Sequence, residues 1–148
     1  IILIVINIIY FIFNVNSQAG CGNIVDPDIV FVLDESGSVR SSGWQAMKDW
    51  LVEVATNHLP ANSRVGFVRF ATGVASASYA PVLKKWPTTA SLVSAINNMN
   101  YQQWYLGTSN AVYTNTKYGI EVALDQFDDN NGRTKVLVLI TDGNPYLP

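Results

Sequence analysis

Two uninterrupted apolar runs, Ile29-Val30-Phe31-Val32-Leu33 and Val136-Leu137-Val138-Leu139-Ile140, each stop abruptly at an acidic, hydroxyl-bearing turn. Apolar runs without alternation, rich in β-branched residues, mark strands buried on both faces, as in parallel sheets covered by helices on either side. In such a sheet, ligands bind just beyond the carboxyl ends of the strands. The first run delivers Asp34-Glu35-Ser36-Gly37-Ser38 to that edge, and the second delivers Thr141-Asp142-Gly143. Asp34, Ser36 and Ser38 offer oxygens at alternate positions, hard donors suited to Mg²⁺ rather than to a soft metal. Taken alone, the first turn reads equally as an ordinary strand-to-helix connection in which Asp34 or a serine caps the next helix. Two strands that each carry an aspartate to one edge favour a site.

Between these runs, helical and extended patterns alternate. Trp44, Met47, Leu51 and Val54 step by three and four, which predicts a helix capped by Ser41 or Ser42 and closed by Pro60-Ala61-Asn62. Residues 64–70 alternate and predict a strand, with Val65, Phe67 and Arg69 on one face. Residues 75–83 form a weaker Ser/Ala-rich strand, a hairpin partner at the sheet edge. Lys84-Lys85 reads as a solvated turn. Pro87-Thr88-Thr89 opens a helix with Leu92, Ile96 and Met99 inward, and residues 116–127 form another with Ile120, Ala123 or Leu124, and Phe127 on one face. Residues 128–132 are a turn. Strands alternating with helices predict an α/β fold: a doubly wound, mostly parallel, Rossmann-like sheet flanked by helices.

The loop Thr114-Asn115-Thr116-Lys117-Tyr118-Gly119-Ile120 completes the pattern. D-x-S-x-S after the first strand, T-x-T-x-x-G-I at a helix start and T-D-G after a later strand, in that order, resemble the von Willebrand factor type A domain. That family, also called the integrin I-like domain, carries a metal-ion-dependent adhesion site. The resemblance spans residues 26–148. It implies that Ser36, Ser38 and Thr114 supply hydroxyl ligands to Mg²⁺, with Mn²⁺ or Ca²⁺ as alternates. Asp34 and Asp142 would bind the ion directly or through water. One position would stay open for a Glu or Asp side chain from an extracellular or matrix protein. Glu35 occupies the variable position of the motif and is not counted as a ligand. Gly37 would permit the tight turn between the serines and Gly143 the turn after Asp142. In many family members a glycine closely precedes the loop threonine. Here Tyr113 precedes Thr114, and Gly107-Thr108 lies earlier. Thr108 therefore competes, and Thr114 is preferred because Gly119-Ile120 follows it. Residues 101–113 look like an insertion rich in Tyr and Trp, which either anchors a ligand or covers the sheet edge.

The 148 residues leave room for one domain, and a net charge of -2 gives no electrostatic footprint for nucleic acid. Residues 1–13 are apolar except for Asn7, too short a run for a comfortable membrane span. Ser17 and Ala19 follow with the spacing of a signal-peptidase site. Residues 1–19 thus read as a secretory signal peptide cleaved after Ala19, residues 20–25 as a linker and residues 26–148 as the domain. The product is expected to be secreted and extracellular, with no membrane insertion after signal removal. An uncleaved anchor, or a lipoprotein at Ala19-Gly20-Cys21, are the alternatives. Cys21 is the only cysteine, which in a secreted chain points to a partner outside the sequence. The resemblance implies a flanking cysteine that closes the two ends. It also implies a domain incomplete at its C-terminus, lacking its last strands and helices and expected to fold poorly alone.

Two other function classes compete with a binding module. A phosphatase with an aspartate nucleophile after the first strand would want a second aspartate where Ser36 stands, and a serine hydrolase elbow needs a glycine where Asp34 stands. His58, the only histidine, falls near a helix end, as a capping or partly buried residue does. A structural module with an unused metal site is the third class. The sequence reads as a binding module and not as an enzyme.

Overall fold

A computed structural model of the chain describes residues 2–7, 26–71, 82–101, 114–127 and 132–142. Among the described residues, eight elements follow in order: β1 (Ile2–Asn7), β2 (Asp28–Asp34), α1 (Arg40–Asn57), β3 (Arg64–Phe70), β4 (Lys84–Lys85), α2 (Thr89–Asn97), α3 (Thr116–Leu124) and β5 (Lys135–Thr141). They form one sheet of order β1-β5-β2-β3-β4, parallel except at β4. β2 lies at the centre, with Phe31 opposite both Phe67 of β3 and Val138 of β5. The expected α/β architecture is present.

Alternation along the strands sorts the core into two layers. Ile29, Phe31, Leu33, Val65, Phe67, Val136, Val138 and Ile140 point to one face, where Trp44, Met47 and Leu51 of α1 and Leu92 and Ile96 of α2 cover them. Val30, Val32, Val68, Phe70, Leu137 and Leu139 point to the other, where Ala123 and Phe127 cover them. Both faces of β2, β3 and β5 are thus buried, which is why these strands read as continuous apolar runs. Phe31 stacks on Phe67 with ring centroids 5.7 Å apart and meets Trp50 edge-on at 6.1 Å.

Several local expectations shift. α1 begins two or three residues earlier than its serines suggest, with Val39 at the cap position and no side-chain capping bond. Ser41 and Ser42 lie exposed in the first turn. Its inward face runs Trp44, Met47, Leu51, Ala55, so Val54 turns half outward. α2 starts as expected, with Thr88 and Ser91 forming a capping box. α3 ends at Leu124, which is exposed, and Ala123 takes the inward place. Lys84-Lys85 is not a turn: it pairs antiparallel with Arg64 and Val65 while its side chains stay exposed. Most of the weaker strand expected at 75–83, and the turn at 128–131, lie outside the described residues.

Residues 2–7 add a parallel strand beside β5, with Ile2 opposite Val136 and Asn7 opposite Thr141. At the amino ends of the strands, the fully buried Asp28 accepts from Arg64 Nε at 2.7 Å and from Arg133 Nε at 2.6 Å. This clamp fixes three strand starts at the edge opposite the candidate site.

Gly119 explains itself by contact. A Cβ there would lie 2.8 Å from Phe70 Cγ, inside a ring that is 1% exposed and has nowhere to move. Gly119→Ala is expected to destabilise the domain by about 1–3 kcal/mol, because overpacking must push α3 off β3. Urea denaturation would check this, and an unchanged midpoint would show that the helix can lift without cost.

Candidate functional site

β2 ends in Asp34, and the chain then leaves the sheet through residues 35–39 to reach α1. Asp34 is fully buried. Its Oδ1 accepts from Ser36 N at 2.8 Å, closing a local turn. Its Oδ2 accepts from Thr141 Oγ1 at 2.7 Å, which ties β2 to the end of β5. Ser36 Oγ and Ser38 Oγ lie 2.9 Å apart. The turn is completed by Val39 N donating to Ser36 O at 3.2 Å. Gly37 carries no left-handed backbone here. The positive φ at this junction, +58°, belongs to Arg40, so the turn gets its shape from the Asp34 side chain and the strain sits one step later.

Thr114 reaches the same edge from a different element. It is 7% exposed and immediately precedes Asn115, whose side chain caps α3 by accepting from Tyr118 N at 3.1 Å. Asn115 N donates to Ala71 O at 2.7 Å, which seats the start of α3 against the end of β3. Asp142 follows Thr141 directly and is partly exposed. The structure therefore brings Asp34, Ser36, Ser38, Thr114 and Asp142 to one edge of the sheet. Thr108, Gly143, Cys21, the cleavage site after Ala19 and residues 102–113 of the aromatic loop lie outside the described residues.

Burial holds the Asp34 carboxyl above the ordinary carboxylate range, against the Thr141 and Ser36 hydrogen bonds, and the charge of Asp142 pushes the same way as burial. Among the described residues, no cationic side chain pairs with Asp34. A buried carboxylate with a second carboxylate beside it and neutral hydroxyls around it is deficient in positive charge. Its donors are all oxygen, so the set fits a small hard divalent cation. No three His, Cys, Asp or Glu side chains gather among the described residues, as expected of a set made mostly of hydroxyls.

Three residues at this edge escape the sequence reading. Glu35 and Arg69 form a buried ion pair, and Tyr101 donates its hydroxyl to Ser36 O at 3.1 Å. The signal for the pair was an arginine in an otherwise apolar strand, on a face that must be buried. A carboxylate one residue past the neighbouring strand is its natural partner.

Comparisons with known proteins bear on the family and the fold. The family described as von Willebrand factor type A domain matches residues 28–147. The collagen alpha-4(VI) chain of Mus musculus is 30% identical over 135 residues, covering 90% of this chain and 6% of that protein. Integrin alpha-X of Mus musculus is 29% identical over 122 residues, covering 80% of this chain and 10% of that protein. The chain thus spans a small part of the length of these relatives. Among solved structures, proximal thread matrix protein 1 from the mussel byssus, with a zinc-occupied MIDAS motif, superposes with a TM-score of 0.61 at 23% identity. That match covers 84% of this chain and 33% of the other, and it shows a shared fold.

Proposed function

Since the chain belongs to the von Willebrand factor type A domain family, we propose that it is a secreted adhesion or matrix-binding module that takes an acidic protein ligand through Mg²⁺ at the sheet's C-terminal edge. The observation that carries this reading is the Asp34 carboxylate, fully buried, facing hydroxyls and a second carboxylate, with no cationic partner among the described residues. Asp34, Ser36, Ser38, Thr114 and Asp142 would hold the ion. Mn²⁺ or Ca²⁺ could replace it. Two carboxylates balance its charge, while neutral hydroxyls leave it electrophilic enough to attract a Glu or Asp from an extracellular partner. Relatives named as collagen chains and an integrin support the matrix or adhesion setting. Among the described residues, no helix is long and apolar enough to cross a membrane. Residues 1–19 serve in this reading as a leader cleaved after Ala19, so the strand at residues 2–7 is absent from the secreted domain.

The module binds and does not catalyse. Among the described residues, Ser36 Oγ is paired with Ser38 Oγ rather than with a base. His58 caps the far end of α1, an 18-residue helix. That places it about 27 Å along the axis from the loop that carries the serines.

Calorimetric titration with Mg²⁺ tests the reading. Saturable binding is expected for the wild type, lost in Asp34→Ala and weakened in Thr114→Ala. Binding that Thr114→Ala leaves untouched would move the loop-ligand role to Thr108. A folded wild type that takes no Mg²⁺, even with an acidic peptide present, would make the domain a structural module.

A further inference from the structure

Arg69 follows Val65 and Phe67 on the strand face that packs against α1 and α2, yet it is an arginine and only 2% exposed. Its guanidinium forks onto the fully buried Glu35, with Nε 3.1 Å from Oε2 and Nη2 on Oε1. Nη2 also donates to Asn100 O at 2.6 Å, and the guanidinium carbon lies 4.9 Å over the Trp44 ring. Trp44 Nε1 donates to Met99 O at 3.0 Å. Tyr101 packs beside Trp44, ring centroids 6.0 Å apart, and reaches Ser36 O with its hydroxyl. Residues 99–101, just past α2, are thereby tied to the loop between β2 and α1 through Arg69 and Tyr101, and to α1 itself through Trp44.

A buried ion pair is a poor device for stability, because apolar residues of the same volume do as well or better. What it supplies is direction. An arginine fork fixes the plane of the carboxylate it holds. Glu35 stands between Asp34 and Ser36, and its own N–H is bonded to Phe70 O at 2.7 Å. Residue 35 is thus pinned by main chain and side chain at once, and its neighbours inherit that fixed orientation.

Building on the metal-site reading above, we infer that Arg69 and Tyr101 are positioning residues: acting through Glu35 and the Ser36 carbonyl, they hold the Asp34, Ser36 and Ser38 oxygens in place before an ion arrives. Residues 99–101 belong to the same device, so the segment leaving α2 and the ion-binding loop move together.

The test uses the full chain with Glu35→Leu/Arg69→Met, which removes both members of the buried pair together, and separately Tyr101→Phe. Two readouts are taken below the unfolding transition: the calorimetric Mg²⁺ dissociation constant, and metal-free amide exchange at Ser36 and Ser38. The double variant is expected to weaken Mg²⁺ by about tenfold or more, as loss of outer-shell support does. Exchange at Ser36 and Ser38 should quicken while the β2, β3 and β5 amides keep their protection. An affinity within about twofold of wild type, with unchanged exchange, overturns the inference, since outer-shell losses run to tenfold or more. If the double variant does not fold, Tyr101→Phe decides: weaker binding and faster exchange uphold the role, and no change overturns it. A wild type that takes up no Mg²⁺ defeats the metal reading by itself. The exchange measurement then still upholds or overturns the positioning role.

Discussion

Glu35→Ala is expected to destabilise the metal-free domain by about 3–5 kcal/mol, the range for removing one member of a buried charge pair. A guanidinium is a permanent charge in proteins. With 2% of its surface exposed Arg69 cannot rehydrate in place, although Asn100 O and the Trp44 face stay beside it. Carbonyl dipoles and a ring quadrupole carry no net negative charge and do not replace a carboxylate fork. Glu35→Leu/Arg69→Met, by contrast, removes both desolvation costs together and is expected to stay within about 2 kcal/mol of wild type, in either direction. The contrast is the informative quantity, because it separates the cost of an orphaned charge from the worth of the pair. Urea denaturation of the two variants and the wild type in EDTA measures it. A loss below about 1 kcal/mol for Glu35→Ala, the scale of an exposed pair, would mean that Arg69 reaches water.

The fold was largely legible because burial on both faces leaves an unambiguous mark. β2 and β5 have no polar face, and their apolar runs end where the sheet ends. α2 was legible for a different reason: its Thr88 and Ser91 caps satisfy backbone groups locally, so its start needs no tertiary information. The start of α1 was not legible. The turn before it is closed by the Asp34 side chain, which satisfies Ser36 N and leaves no serine the task of capping. Lys84-Lys85 misleads because exposed side chains conceal a paired backbone, and only the neighbouring strand reveals it. At the candidate site, the donors were visible as a motif, while the residues that support them were not. Arg69 lies 34 positions from Glu35 and Tyr101 lies 65 from Ser36, and no local spacing rule connects residues so far apart.

Asp34→Asn is expected to stabilise the metal-free domain at neutral pH and to abolish its stabilisation by Mg²⁺. Burial is the main cause that raises the Asp34 carboxyl in the folded state, with Asp142 adding to it. For a group raised on folding, the favourable contribution is fully present below the unfolded pKa, near about 4 for aspartate, and is lost as pH climbs through the folded value. Above that window the folded protein carries a buried charge that the unfolded chain would keep in water. Asparagine removes the charge and keeps the bonds: its oxygen can accept from Ser36 N, and its amide can donate to Thr141 Oγ1. In EDTA the wild type should therefore lose stability relative to Asp34→Asn as pH rises from about 4 toward 7. Mg²⁺ reverses the order, because an ion needs the ionised carboxylate and restores the missing positive charge. At one hundred times its dissociation constant it should add about 2.7 kcal/mol to the wild type and nothing to the variant. Melting curves across pH, with and without Mg²⁺, read both effects together. If Asp34→Asn is the less stable protein in EDTA at pH 7, the carboxylate is serving the fold rather than waiting for a cation.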